Sequence, residues 1–345
     1  MKLNRAKSWT PGELNALIRG YQGAAVLAAA AELELFSRLT GNPSTARALA
    51  KRMTCDLRGL TILLDALVGL RLLEKSGNHY ALPASLNALL TPDGAQSILA
   101  MAQHQGRCLR YWAQLARVVK TGRAAERIPG VRGEAGDQEA FIGAMHNISA
   151  PSADQVIQAV QPLRFRHLLD IGGASGTWTI AFLRACPSAK ATLFDLPQVI
   201  SMARRRLVAA GLDQRVRLVA GDFATDALPP GADLAWVSAI VHQNSRIQNR
   251  TLFTAIFAAL APDGRIAIRD ILMEADHTRP VAGALFAVNM LVATEGGSTF
   301  TFAELHEDLV AAGFAEVALA REDEAMNAIV VARKPCAVGA RAGMI

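Results

Sequence analysis

Residues 167–183 read HLLDIGGASGTWTIAFL: an apolar run, a Gly-rich bend and an apolar stretch with helical spacing. A buried strand that turns through glycines into a helix lets a ligand approach bare backbone. The segments beyond this bend decide the architecture. From 167 onward, strand-like and helix-like segments alternate: HLLDIG, WTIAFLRAC, ATLFDL, VISMARRRLVAAG, VRLVAGDF, DLAWVSAIV, RTLFTAIFAALA and GRIAIRDIL. Apolar strands of about five residues between helices predict a doubly wound α/β domain, its mostly parallel sheet covered on both faces. The end of the chain breaks the rhythm. TFAELHEDLVAAGF reads as a helix, and AEVALA and NAIVVARK come after it with no helix between them, which predicts an antiparallel edge strand. The tail from Pro335 is expected to be loose.

The part before residue 161 has a different texture. Residues 12–40 are rich in Ala and Leu at helical spacing. Ser44 or Thr45 is placed to cap a short helix, and a turn near Thr54–Asp56 leads to a second helix carrying Leu60, Leu63, Leu64 and Leu67 on one face. LLEKSGNHYAL then reads as a hairpin turning at Ser76–Gly77–Asn78. Helix, turn, helix, hairpin is a winged-helix pattern. Residues 95–125 and 137–160 read as helices around the loop GRAAERIPGVRGEAGDQ. The expected organisation is a mostly α winged-helix-like domain over 1–105, linking helices over 106–160 and a catalytic domain over 161–345.

Composition narrows the function classes. Of 345 residues 51% are apolar, enough for two cores, yet no run reaches the roughly 18 apolar residues of a membrane span. Residues 1–15 lack the apolar core of a secretory signal, and Cys55, Cys108, Cys186 and Cys336 form no CxxC pair. A cytoplasmic protein without disulfides or zinc is the simplest expectation, and no His pair has metal-ligand spacing. The net charge of +6 invites a nucleic-acid reading. However, the basic residues are dispersed, and the helix LRGLTILLDALVGLRLL carries only Arg58 and Arg71. That helix suits packing better than base reading, so a DNA-binding regulator is the weaker alternative.

In a doubly wound sheet ligands gather beyond the carboxyl ends of the strands. Asp170, Asp195, Asp222 and His242 fall at or just past predicted strand ends. The glycines of the bend, Gly172, Gly173 and Gly176, do not fit the G-x-G-x-x-G spacing of dinucleotide sites. The form D-x-G-x-x-x-G resembles instead the first motif of S-adenosylmethionine-dependent methyltransferases. A carboxylate at Asp195 suits two ribose hydroxyls, Asp222 an adenine amine, and Phe223 the face of the ring.

Taken in order, DIGGASG, FDLP, GDF, SAIVH, GRIAIRDIL and NMLVATEGGSTFT resemble the class I O-methyltransferases related to hydroxyindole, caffeate and bacterial polyketide methyltransferases. The likeness covers nearly the whole chain. It implies an S-adenosyl-L-methionine cofactor held by Ser149, Asp170, Gly172, Gly173, Gly176, Asp195, Leu196, Gly221, Asp222 and Phe223, with Ser238 where many relatives have lysine. It implies an acceptor pocket lined by Met145, His146, Phe286, Asn289, Met290 and Ala293. It also implies a homodimer through the N-terminal domain, with a small-molecule acceptor and no nucleic acid or membrane partner. His242 matches the relatives' general base, although Gln243 and Asn244 replace the residues that usually come next. The same alignment places Arg269 and Thr299 where plant relatives frame the base with glutamates. On this reading Arg269 stands near His242, favours the neutral imidazole and pairs with an anionic acceptor; otherwise it pairs with Asp270 or Glu274. O-methylation of a small aromatic hydroxyl is the expected activity. C-methylation, or a non-methylating use of the same cofactor, is the alternative.

Overall fold

The computed structural model describes residues 7–160 and 164–336. The expected boundary at 161 and the tail beyond Cys336 lie outside the described residues. The chain divides into two compact units. One runs up to Arg110 and includes Arg127–Asn147; the other holds Tyr111–Glu126 and the described residues from Ile148 onward. The region expected to link the domains, 106–160, is thus shared between the two units.

In the first unit, Thr45 Oγ1 accepts from Ala48 N–H and starts the helix Ala46–Met53, and Asp56 accepts from Gly59 N–H at 2.6 Å and starts Leu57–Gly69. These caps satisfy N–H groups that a helix start leaves unpaired. Leu60, Leu64 and Leu67 are buried with Leu49, Leu73 and Tyr80 in one core. Glu74–Ser76 pairs antiparallel with His79–Ala81, closing on Gly77 at φ +57°, as the wing requires. The helix Gly133–Ser149 begins four residues before the expected 137, inside the stretch read as loop.

The second unit is a seven-stranded sheet. In chain order its strands are β1 (His167–Ile171), β2 (Lys190–Asp195), β3 (Val216–Ala220), β4 (Ala232–Ser238), β5 (Leu260–Asp270), β6 (Ala315–Arg321) and β7 (Ala328–Arg333). The main helices are α1 (Thr177–Ala185), α2 (Pro197–Ala209), α3 (Arg246–Ala259), α4 (Val281–Ala293) and α5 (Phe302–Ala311). Across the sheet the order is β6-β7-β5-β4-β1-β2-β3. β1 to β5 run parallel, while β7 is antiparallel to both its neighbours. The antiparallel strand therefore lies one place in from the edge, and β6 is the edge.

Each strand feeds two cores, because successive side chains point to opposite faces. Ile266 and Ile268 of β5 join Val237, Phe253, Ile256 and Leu309 on the side of α3 and α5. Ala267 joins Trp178, Phe182 and Trp236 on the side of α1. The strand order reverses between β1 and β4, which opens the crevice at their carboxyl ends.

Candidate active site

The bend after β1 is shaped by backbone constraints. Gly172 has φ +66° and Gly176 φ +77°, a region that favours glycine. A Cβ on Gly172 would lie 2.6 Å from Ile240 Cδ1, and one on Gly173 2.6 Å from Leu193 Cγ. The backbone is thus bare where the bend meets its neighbours. Gly172 N–H donates to Phe194 O at 2.8 Å, tying the bend to β2.

Asp195 ends β2 and is gripped by the same bend. Ala174 N–H donates to its Oδ2 and Leu196 N–H to its Oδ1, both at 2.7 Å. Burial raises the Asp195 pKa against the pull of these two donors. Each carboxylate oxygen retains a lone pair for a ligand. Past β3, Gly221 N–H donates to Asp195 O, Asp222 Oδ1 accepts from Ala224 N–H, and Phe223 packs against the core near Gly172. These residues make a continuous cradle with carboxylates at two points and an aromatic ring at a third.

Asp170 is the next-to-last residue of its strand, beside the bend. It lies inside β1, 1% exposed, and accepts from Thr179 Oγ1 of α1 at 2.5 Å. Burial pushes its pKa up to about 7. It braces the bend from beneath. Ser149, at the end of its helix, is buried. Met145 and His146 sit on the same helix but in the other unit.

His242 lies in a short 3-10 turn, Val241–Gln243, just past β4. Its ring is 6% exposed, and Nδ1 faces both oxygens of Asp270, at 2.8 and 2.9 Å. Ile271 N–H donates to Asp270 Oδ1 at 2.8 Å. A carboxylate accepts only, so Nδ1 carries a hydrogen, and in the neutral ring the lone pair then lies on Nε2. No hydrogen bond within the described residues engages Nε2. Phe286 of α4 stands edge-on to the imidazole, with centroids 4.7 Å apart.

The turn itself is fastened from behind. Buried Asn249 donates to Val241 O at 2.9 Å, and Asn244 donates to Asn249 Oδ1. Ser298 N–H donates to His242 O, and a Cβ on Gly297 would lie 2.5 Å from that same oxygen. The glycines before Ser298 thus let the loop after α4 close on His242.

Arg269 corrects the sequence expectation. Asp270 shares a strand face with Ile266 and Ile268, and so with Val241 beside His242, whereas Arg269 points to the opposite face. There its guanidinium lies over Trp178, 4.5 Å from the ring centroid. Nε donates to Asn327 Oδ1 and Nη1 to Ser238 Oγ. It is 1% exposed, and burial pushes its pKa down to about 10. The acidic partner of His242 is therefore Asp270. Arg269 forms no salt bridge with Asp270 or Glu274 among the described residues; Glu274 pairs with Arg279. Ser238 is taken up as an acceptor for this arginine. Thr299 is buried, with its hydroxyl toward Gly283 O.

Along α4, Phe286 and Asn289 share a face, Met290 is buried, and Ala293 packs with Tyr111, Val118 and Val292. Asn289 has a partner that local spacing does not reveal: Trp112 Nε1 donates to its Oδ1 at 2.9 Å. Asp270 was legible in principle from its parity with Ile266 and Ile268. Asn249 was legible as a polar residue on an apolar helix face. Among the described residues no cluster of His, Cys, Asp and Glu is arranged to hold a metal ion, and no helix is long and apolar enough to cross a membrane.

Comparison with known proteins agrees with this geometry. Residues 112–315 match the O-methyltransferase domain model and residues 15–91 the O-methyltransferase dimerisation domain model. The chain is 31% identical to 3-hydroxy-5-methyl-1-naphthoate 3-O-methyltransferase of Streptomyces sahachiroi, over 90% of this chain and 91% of that one. It is 29% identical to acetylserotonin O-methyltransferase of Gallus gallus, over 90% and 94%. Among solved structures, human N-acetylserotonin methyltransferase in complex with SAM superposes with a TM-score of 0.77 at 27% identity, covering 96% of this chain and all of that one.

Proposed function

Because the chain belongs to the S-adenosylmethionine-dependent O-methyltransferase family, we propose that it methylates a hydroxyl of a small aromatic acceptor with His242 as general base. The observation that carries the base assignment is the buried Asp270–His242 pair with Nε2 left free beside Phe286.

The cradle fits the cofactor. Asp195 would hold the ribose hydroxyls through the lone pairs its two backbone bonds leave unused. Asp222 Oδ2 has no partner among the described residues and suits the adenine amine, with Phe223 against the ring. The bare backbone at Gly172 and the positive end of α1 would receive the methionine carboxylate. When bound, the cofactor supplies an electrophilic methyl carbon together with its own leaving group.

The protein then has to orient the hydroxyl and take its proton. A phenol near pKa 10 is a poor nucleophile at neutral pH. Asp270 fixes the tautomer that leaves the lone pair on Nε2. The acceptor's proton moves to Nε2 as its oxygen gains the methyl group, and the Asp270 carboxylate stabilises the imidazolium that results. Apolar Phe286 excludes water from one edge of the base.

We place a second copy of the chain on the first unit. The dimerisation match covers residues 15–91 of it, and its helix Pro11–Arg19 exposes Leu17 at 65% and Ile18 at 69%. An apolar face of that kind suits an obligate interface.

The test is methyl transfer from labelled cofactor to a panel of phenols, with the product located by NMR. Ether-linked label is expected, with a fall of about a thousandfold in His242→Ala. Label on carbon, no label in any product, or a His242→Ala rate within about threefold of the parent each overturns the reading.

A further inference from the structure

The hydrogen bond between Trp112 and Asn289 says something about the acceptor. An indole N–H donates only, so the Asn289 amide must turn its oxygen toward Trp112, and the 2.9 Å separation matches a formed bond. The orientation of the amide is thereby settled by chemistry rather than left free to flip. What remains is the NH2 group, and no acceptor for it exists among the described residues.

Trp112 is itself held in place. Its neighbours Tyr111, Val118 and Leu115 pack with Val292 and Ala293 of α4, and Ala125 N–H donates to Val292 O at 2.9 Å. All of these residues belong to the same unit as His242. Asn289 lies three residues beyond Phe286 on α4, on the same helical face, with the two Cβ atoms about 5–6 Å apart. Phe286 in turn touches the His242 ring. The amide therefore has its oxygen turned to Trp112 and its NH2 group free, within about 10 Å of the His242 ring by these two steps.

We propose that Trp112 holds Asn289 with its oxygen turned aside and its NH2 group free, and that the protein thereby selects hydroxyarenes carrying a carbonyl-type oxygen about one ring width from the hydroxyl that is methylated. The inference rests on the methyl transfer proposed above. A ketone, ester, amide or carboxylate oxygen accepts one of these N–H bonds. An alkyl group in that place leaves it unpaired, which a site built around polar groups rejects strongly. Asn289 is the contact residue; Trp112 acts through it and is a positioning residue.

The test compares two acceptors of one shape, an aryl methyl ketone and the matching ethyl compound, built on whichever ring system of the phenol panel is turned over. The readout is the ratio of their kcat/KM values. The wild-type protein is expected to favour the ketone by about tenfold or more. Asn289→Asp keeps the acceptor for Trp112 but removes the donor, and is expected to reduce the ratio by at least about tenfold. Trp112→Phe frees the amide to rotate, and a reduction of about threefold is expected, with KM for the ketone moving more than kcat. Should Trp112→Phe melt too early to assay, Asn289→Leu serves beside Asn289→Asp. A wild-type ratio near one, or a ratio unchanged in Asn289→Asp, overturns the inference while methyl transfer stands. Failure of every phenol to accept the label overturns the reaction, and the inference with it.

Discussion

Asparagine at position 270 faces a demand that it cannot meet. Asp270 Oδ1 accepts from both Ile271 N–H and His242 Nδ1 at 2.8 Å, and Oδ2 lies 2.9 Å from the same ring nitrogen. An asparagine side chain has a single oxygen. With that oxygen in the Oδ1 place Ile271 keeps its partner, but the NH2 group then lies where Oδ2 was, 2.9 Å from Nδ1; a ring N–H there meets a second donor, which favours the tautomer whose Nδ1 accepts. The ring hydrogen moves to Nε2, the position that should receive the acceptor's proton. If the oxygen turns to His242 instead, a buried backbone N–H loses its partner at a cost of about 1–3 kcal/mol. In both cases the imidazolium loses a charge-assisted bond worth about 1.5–3 kcal/mol, or roughly 10- to 100-fold in rate. With the tautomer error added, kcat should fall by about a hundredfold to a thousandfold. The Asp270 carboxylate is engaged with His242 and Ile271, not with the Asp195 cradle, so the cofactor Kd should stay within about threefold. Single-turnover transfer of labelled methyl measures the first quantity and calorimetry the second. A folded Asp270→Asn protein with kcat within about threefold of the parent would refute the tautomer argument.

Other consequences are open to measurement. Asp195→Ala removes the proposed ribose acceptor and strands the N–H groups of Ala174 and Leu196, so calorimetry should show cofactor binding weakened by about tenfold or more. Burial raises Asp170 from 3.8 to about 7, so the folded protein keeps a proton that the unfolded chain has already released. Stability on this account is present below about pH 4 and is lost as pH rises toward 7. Asp170→Asn removes the titration, and the melting temperature of the ligand-free variant should exceed the parent's by a margin that grows across this window and then levels off. A margin flat from pH 4 to 8 would contradict the burial argument. Asp308 is fully buried and accepts from Arg246 at 2.8 Å and Arg250 at 2.6 Å; Asp308→Ala should cost about 2 kcal/mol in denaturant unfolding, less than for a wholly buried network because both arginines reach solvent.

The sheet was legible because its evidence is local. Apolar runs of the right length, separated by helical spacing, identify the parallel strands without any knowledge of their partners. The place of β7 is different: its pairing with β5 on one side and β6 on the other depends on contacts across the sheet, and the sequence shows only that two strands succeed each other. The carboxylate at Asp195 was readable because strand ends in such a sheet share one rim. Arg269 was misplaced by one step of alternation, since adjacent residues of a strand serve opposite faces and a motif match off by one residue exchanges them. Counting parity from Ile266 and Ile268 would have chosen Asp270. No such count finds the Trp112–Asn289 bond, whose partners lie 177 residues apart.

The loop that closes over His242 joins two tasks that are often treated separately. Gly297 leaves room for the carbonyl of His242 only because it lacks a side chain, and Ser298 is hydrogen-bonded to that carbonyl. This loop continues directly from α4, the helix that carries Phe286 and Asn289. If that helix lines the acceptor site as proposed, exchanging it therefore tugs on the His242 ring through its own main chain. Efforts to retune substrate choice should transplant residues 281–298 as a block, since piecemeal changes to the helix would alter turnover together with selectivity.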